Sequence, residues 1–320
     1  MLTHFHITQC GSSHIAGHKP CDDNSSSERL EAGGGQWIAA AVADGVGSAE
    51  NSRFGSKTAV ETALSYVRSH IDGNTGSLDD IFMNCLCPAF DAALTAIEDR
   101  AAADGFLPES LDTTLTVCLF NGKDVYFGHC GDDGIVALYG DGSYEMITTR
   151  MKGEEDNSVY PLRIRQAWQF GYTKKMVASL ALMTDGVLDH VVARAPSQNN
   201  RVYRPFLKPI LGIPIVSDEE AEEVKSAWEH FLAGEVAYHD GNFRTFVTDD
   251  ISLVVIQNSD AVADLQQGQA AAETAPKAGK SNGAAADGIT NKRRRGRKSV
   301  KPRIRLIKSA GSKNITDSNK

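Results

Sequence analysis

Val42-Ala43-Asp44-Gly45-Val46-Gly47 is the stretch whose reading decides the rest of the chain. The residues leading into it, Trp37-Ile38-Ala39-Ala40-Ala41-Val42-Ala43, form a short unbroken apolar run, the pattern of a strand inside a protein. Asp44 then falls where that strand leaves the core, a carboxylate fixed on a rigid element. Gly45 and Gly47 carry no side chains, so the backbone can turn sharply and bring its carbonyls close to a ligand or cation. Asp-Gly is also a common turn dipeptide, so the stretch gains meaning only in company.

That company lies elsewhere in the chain. Ala181-Leu182-Met183-Thr184-Asp185-Gly186 is a second apolar strand ending in Asp-Gly, and Thr248-Asp249-Asp250 precedes a third, Ile251 to Ile256. Pro20-Cys21-Asp22-Asp23 supplies an acidic pair near the start, and Gly131-Asp132-Asp133-Gly134 follows the apolar run Val125-Tyr126-Phe127. Carboxylates at strand ends converge if the strands share a sheet. Converging carboxylates repel, and the simplest compensation is a divalent metal.

Composition frames this reading. In 320 residues, 41% hydrophobic content is ample for a core. No signal peptide is visible, and no apolar run approaches the roughly 20 residues of a membrane span. The expectation is a soluble, cytoplasmic protein with no membrane span. Cys10, Cys21, Cys85, Cys87, Cys118 and Cys130 are scattered without zinc spacing, as in a reducing compartment. Net charge is −8, but residues 291–320 hold twelve Lys and Arg against the single acid Asp317. The body is therefore strongly acidic and the tail basic, so any polyanion contact belongs to the tail.

In chain order, Leu2 to Thr8 alternates as an opening strand, and Gly11 to Pro20 is a loop in which His14 and His18 read as ordinary loop histidines. Asn24-Ser25-Ser26-Ser27 and Gly33-Gly34-Gly35 read as a flexible hairpin connection. Val60, Ala63, Leu64, Val67 and Ile71 recur at helical spacing after Ser52, a plausible N-cap. A longer amphipathic helix runs from Leu78 to near Gly105, with Pro88 expected to kink or divide it. Thr113 to Phe120 and Val125 to Gly128 flank the hairpin turn Asn121-Gly122, and Ile135 to Tyr139 and Tyr144 to Thr148 flank Gly140-Asp141-Gly142, together an antiparallel meander. Arg150 to Tyr172 reads as irregular, with Glu154-Glu155-Asp156 as solvated loop. A short helix is expected near Val187 to Val191, then a mixed stretch to Ile215, and an amphipathic helix from Asp218 to about Leu232. Ala261 to Thr290, rich in Ala, Gly and Gln, reads as disordered linker. The expected domains are 1–258, a linker 259–290 and a basic disordered tail 291–320.

Taken in order, Ser13-His14-Ile15 with Pro20-Cys21-Asp22-Asp23, Val42 to Gly47, Asp112-Thr113-Thr114-Leu115, Gly131-Asp132, Thr184-Asp185-Gly186 and Asp249-Asp250 resemble the metal-dependent type 2C (PPM) protein serine/threonine phosphatases, in their compact bacterial form. The resemblance covers about residues 5–257. It implies an α+β fold, a four-layer αββα sandwich of two antiparallel sheets flanked by helix pairs. It also implies hydrolysis of phosphoserine and phosphothreonine on proteins, opposite a cognate kinase, with two or three Mn²⁺ or Mg²⁺ ions. Two such ions supply an activated water and a clamp on the phosphoryl oxygens.

By the same resemblance Asp44 bridges both ions, the Gly45 carbonyl helps hold one, Asp185 and Asp249 hold the other, Asp23 reaches an ion through water, and Asp132 recruits a third. All-oxygen ligands suit these hard cations. The catalytic pair would be Asp44 and Asp185. Three positions depart from the pattern. His18 or Lys19 stands where many members grip the phosphate with arginine, and lysine offers a point charge rather than a fork. The first acidic pair is Asp22-Asp23 rather than Glu or Gln before Asp. Val46 stands where some members have a histidine, leaving another group or water to protonate the leaving group. Basic residues 292–308 lack an aromatic residue for stacking on bases, so any nucleic-acid contact there would be nonspecific and salt-dependent. The alternative from another class is a catalytically weak, phosphatase-like phosphoprotein-binding regulatory module tethered by that tail.

Overall fold

The apolar run is a strand, β3 (Gly35–Ala43), with both faces buried. Strand periodicity sends Ile38, Ala40 and Val42 to one side and Trp37, Ala39, Ala41 and Ala43 to the other, and each set enters a different core. In this computed structural model, which describes residues 1–151, 159–192, 202–233, 235–237 and 244–274, that double burial reflects a central layer position.

β3 lies in a five-stranded sheet ordered β2 (Asn24–Ala32), β3, β4 (Leu115–Phe120), β5 (Val125–Cys130) and β8 (Gln169–Thr173). A second five-stranded sheet is ordered β1 (Leu2–Gln9), β12 (Ile251–Asn258), β9 (Val177–Met183), β6 (Gly134–Tyr139) and β7 (Tyr144–Met146). Every pairing within both is antiparallel. Phe120, Phe127, Ile135, Tyr139, Leu182, Val254 and Ile256 fill the space between them. The helices α2 (Ser52–His70) and α4 (Cys87–Asp104) cover the outer face of the first sheet. The helices α5 (Asp185–Val191), α6 (Arg204–Leu211) and α7 (Asp218–Leu232) cover that of the second. The architecture is the expected α+β sandwich of two antiparallel sheets between helices. The five-residue helix α1 (Ser12–Ala16) and the small hairpin β10 (Glu235–Ala237) with β11 (Arg244–Phe246) lie outside these layers.

Several local expectations are corrected. Asn24 to Ser27 is the start of β2 rather than a flexible connection. Its serines bond to β1 of the other sheet, with Ser27 Oγ 2.8 Å from His4 Nδ1 and Ser25 Oγ 2.7 Å from Thr8 Oγ1. At Pro88 the helical region is divided into segments of different type rather than interrupted by a loop. The chain runs from α3 (Leu78–Asp80) through a π-helical stretch, Ile81–Leu86, into α4, where Pro88 sits in the first turn and its missing N–H is tolerated. This region, Leu78–Asp104, is the one described helix long and apolar enough to cross a membrane. Its apolar residues, Phe82, Leu86, Phe90 and Leu94 among them, pack in the core under α2. The meander is broken, because β5 and β6 belong to different sheets and Gly131-Asp132-Asp133 carries the chain between them. Gly131 has φ +118°, and a Cβ there would lie 2.4 Å from Thr114 Cγ2. The irregular region after Arg150 contains β8, while Glu154-Glu155-Asp156 lies outside the described residues. Ser259–Thr274 is a helix, α8, where the sequence predicts linker; Ala261 and Val262 pack on Ala178 of β9. Residues 275–320, with the basic tail, lie outside the described residues.

Candidate active site

Strand registry brings the acidic strand ends together. In the first sheet Asn24 pairs with Ala43, Val42 with Thr116, and Leu115 with Cys130, which places Asp23, Asp44, Thr114 and Gly131-Asp132 at one end. In the second sheet Met183 pairs with both Gly134 and Leu253, so Asp133, Asp185 and Asp249-Asp250 reach the same end. One edge of the sandwich therefore collects acids from residue 23 to residue 250.

Thr114 ties the centre of this cluster. Its Oγ1 accepts from the Asp44 backbone N–H at 2.7 Å and donates to Asp133 Oδ2 at 2.6 Å, while the Asp44 carbonyl accepts from the Thr114 N–H and the Thr113 hydroxyl, both at 2.9 Å. Carboxylate oxygens of Asp44, Asp132 and Asp133 lie within 4.8 Å of one another. Asp133 is fully buried, and its Oδ1 has no hydrogen-bond partner among the described residues. On the other side Thr184 Oγ1 donates to Asp23 Oδ2 at 2.6 Å and accepts from the Ser252 N–H at 2.9 Å. Gly45 is buried, and a Cβ on it would meet the Asp22 carbonyl at 2.7 Å and Ser52 Cβ at 2.8 Å, so only glycine lets the turn after Asp44 close.

Electrostatics point the same way. Burial, and then neighbouring carboxylates, push Asp44 well above the ordinary carboxylate range; burial does the same to Asp23 and Asp133. Asp185 is pushed up to about 7 by burial, then by Asp132, Asp249 and Asp189. A cluster whose members resist ionisation together, and which holds a buried carboxylate oxygen with no donor among the described residues, fits a divalent cation with oxygen ligands. Asp44, Asp132 and Asp133 are close enough together that they could hold one, and Asp23, Asp185 and Asp249 reach the same end of the sandwich.

Asp250 has a different task. Buried at 3% exposure, it accepts from the Gly11 N–H at 2.7 Å and the Asp22 N–H at 2.6 Å, and lies 2.9 Å from His14 Nδ1. It thereby clamps the loop between β1 and β2 onto β12. His18 and Lys19 are exposed on that loop, His18 with φ +54°. Asp112 pairs with Arg163 (Nε to Oδ1 2.7 Å), and only its neighbours Thr113 and Thr114 reach Asp44.

Two members of the site are absent from the sequence-based residue set. Asp133 is one, and the doubled aspartate of Gly131-Asp132-Asp133-Gly134 is its only sequence signal. The other is Arg150, in the loop after β7, which the sequence pattern leaves among irregular polar residues. Its side chain is 8% exposed, its Nη1 donates to Asp189 Oδ1 at 2.5 Å, and its Nη2 stands 3.6 Å from Asp132 Oδ2.

The family model for protein phosphatase 2C matches residues 10–232. The chain belongs to that family. This phosphatase 2C chain is thereby assigned as a protein serine/threonine phosphatase. Its fold is similar to the catalytic domain of the serine/threonine phosphatase PstP solved with two manganese ions, at 19% identity and TM-score 0.53 over 80% of this chain and 97% of that one. It is similar also to the phosphatase Stp1 of Staphylococcus aureus (13% identity, TM-score 0.52, 80% and 95% covered). PppA, a regulatory component of the T6SS in Pseudomonas aeruginosa, is a third such fold (16%, TM-score 0.53, 80% and 97%). At these identities the likeness concerns the fold. No curated protein sequence matches the chain.

Proposed function

We propose that this phosphatase hydrolyses phosphoserine and phosphothreonine on proteins at a centre of two Mn²⁺ or Mg²⁺ ions, and so reverses the action of a serine/threonine kinase. The observation that carries the reading is the convergence of Asp23, Asp44, Asp132, Asp133, Asp185 and Asp249 at one sandwich edge, with Asp133 Oδ1 buried and without a donor among the described residues. The bound ions would supply an activated water and charge neutralisation of the phosphoryl oxygens.

The chain's own residues prepare that chemistry. Asp44, held through its backbone by Thr113 and Thr114, and Asp185, at the first turn of α5, stand on opposite sheets and take the central ligand positions. The Gly45 carbonyl, Asp23 and Asp249 would complete the ligand set, and Asp132 and Asp133 would extend it towards the crossing between the sheets. Thr114 and Thr184 orient Asp133 and Asp23 with hydroxyl donors, and the Asp133 Oδ1 left without a donor among the described residues would be available to a cation. Val46, an aliphatic side chain, offers no proton to the leaving alkoxide, so that proton must come from another group or from water.

The test is release of phosphate from a phosphothreonine peptide with and without Mn²⁺, for the native chain and Asp44→Asn. Metal-dependent turnover lost in Asp44→Asn is the expected result. A native chain that binds Mn²⁺ yet releases no phosphate would overturn the reading.

A further inference from the structure

The Arg150 guanidinium is hydrogen-bonded along one edge and, among the described residues, makes no hydrogen bond along the other, where Asp132 stands at ion-pair distance. Nη1 donates to Asp189 of α5, whereas Nε and Nη2 are buried with no hydrogen-bond partner among the described residues. The idle nitrogens are not a random pair. In a planar guanidinium the Nε–H and one Nη2–H run parallel on the same side, and together they form a two-pronged donor matched to two oxygens of a carboxylate or phosphate.

The Nη2 end of this fork lies beside the acidic cluster. Nη2 is 3.6 Å from Asp132 Oδ2, too far for a hydrogen bond but close enough to fix the direction, and Asp132 shares its oxygens' neighbourhood with Asp44 and Asp133. The loop that carries the arginine is itself held, since the Met151 N–H donates to the Gly131 carbonyl at 2.8 Å and the Thr149 carbonyl is 3.1 Å from His129 Nε2. The side chain is more than nine-tenths buried. A buried cation with idle donors is costly unless an acceptor completes it. A dianionic phosphate monoester, whose oxygens must lie against the same carboxylate-bound cations, is the acceptor of matching charge and shape. His18 and Lys19, by contrast, stand exposed on the β1–β2 loop.

We propose that Arg150, anchored by Asp189, grips the substrate phosphoryl group by donating from Nε and Nη2 to two of its oxygens. This assignment rests on the phosphatase reading of the site. It makes Arg150 the residue that supplies the bidentate phosphate contact.

The experiment uses the full chain loaded with Mn²⁺, with inorganic phosphate as probe. Its affinity is read by calorimetry and by product inhibition of phosphothreonine-peptide hydrolysis, and Mn²⁺ affinity is titrated separately. Arg150→Lys keeps a positive charge but loses the fork, and Arg150→Gln loses both. The expected result is a loss of phosphate affinity of about tenfold or more in Arg150→Lys and a larger one in Arg150→Gln, with a matching rise in KM and unchanged Mn²⁺ affinity. Asp189→Asn, which loosens the anchor and leaves the fork, should fall between native and Arg150→Lys. Phosphate affinity within twofold of native in Arg150→Lys overturns the proposal, and so does a loss that only tracks weakened Mn²⁺ binding. A His18→Ala, Lys19→Ala double variant that loses phosphate while Arg150→Lys retains it overturns it too, in favour of the loop pair. A native chain that binds no Mn²⁺ and releases no phosphate refutes the phosphatase reading itself, an outcome separate from the others.

Discussion

Asp185 gives the sharpest quantitative handle on the acidic site. Its carboxyl, pushed from 3.8 up to about 7 by burial and by the charges of Asp132, Asp249 and Asp189, binds a proton more tightly in the folded metal-free protein than in the unfolded chain. The stabilisation this represents is fully present below pH 3.8 and is lost as pH rises through 7. The difference of about three pH units corresponds to an upper bound of about 4 kcal/mol. In a domain of this size that is a change in Tm of roughly 8–16 °C. Two histidines, the buried His129 and the half-buried His4, pull the other way: burial lowers both to about 4, so the stability they contribute is present above 6.5 and lost as pH falls towards 4. The informative quantity is therefore the difference between native and Asp185→Asn. Thermal melts in chelator from pH 4.5 to 8.5 should show Asp185→Asn gaining on the native chain as pH rises, with most of the gain complete by pH 8. Mn²⁺ at 100 times its dissociation constant should then raise the native Tm through about 2.7 kcal/mol per site, and raise the variant's much less. Parallel native and variant curves across the whole window would refute the claim that crowded carboxylates set the energetics of this edge.

Two further substitutions probe the same edge through its supports. Thr114→Val keeps the shape but removes the acceptor for the Asp44 N–H and the donor to Asp133; it should cost roughly 2–4 kcal/mol in denaturant unfolding and weaken Mn²⁺ binding. A change below about 0.5 kcal/mol would show that the threonine is a bystander. In Gly186→Ala the new Cβ would lie 2.0 Å from the Asp250 carbonyl, so the start of β12 must shift and take Asp249 away from Asp185. Mn²⁺ titration should show at least about a tenfold weaker affinity, and native affinity would contradict the close approach.

The sequence alone determined the acidic stretches, the apolar strands that carry them, the helices near α2, α4 and α7, and the order of motifs that marks the family. These are local properties: strand and helix periodicities and turn dipeptides are written in consecutive residues. The polar edge strand β2 escaped because its serines are used across the gap between the sheets, a contact with no local pattern. Helix α8 escaped because its Ala- and Gln-rich sequence carries only a short apolar contact, Ala261 and Val262 on Ala178. The meander reading failed at Gly131 because hairpin signals specify neighbours in the chain and say nothing about which sheet the next strand joins. That one crossing sets Asp132 and Asp133 between the layers. Only the tertiary structure decided that Asp133 belongs to the cluster, that Asp250 is a clamp on the β1–β2 loop, and that Arg150 lies buried beside Asp132 with Asp189 at its back. Burial and pairing of a charge depend on residues far apart in sequence, and strand registry, which no single segment encodes, is what brings them to one edge.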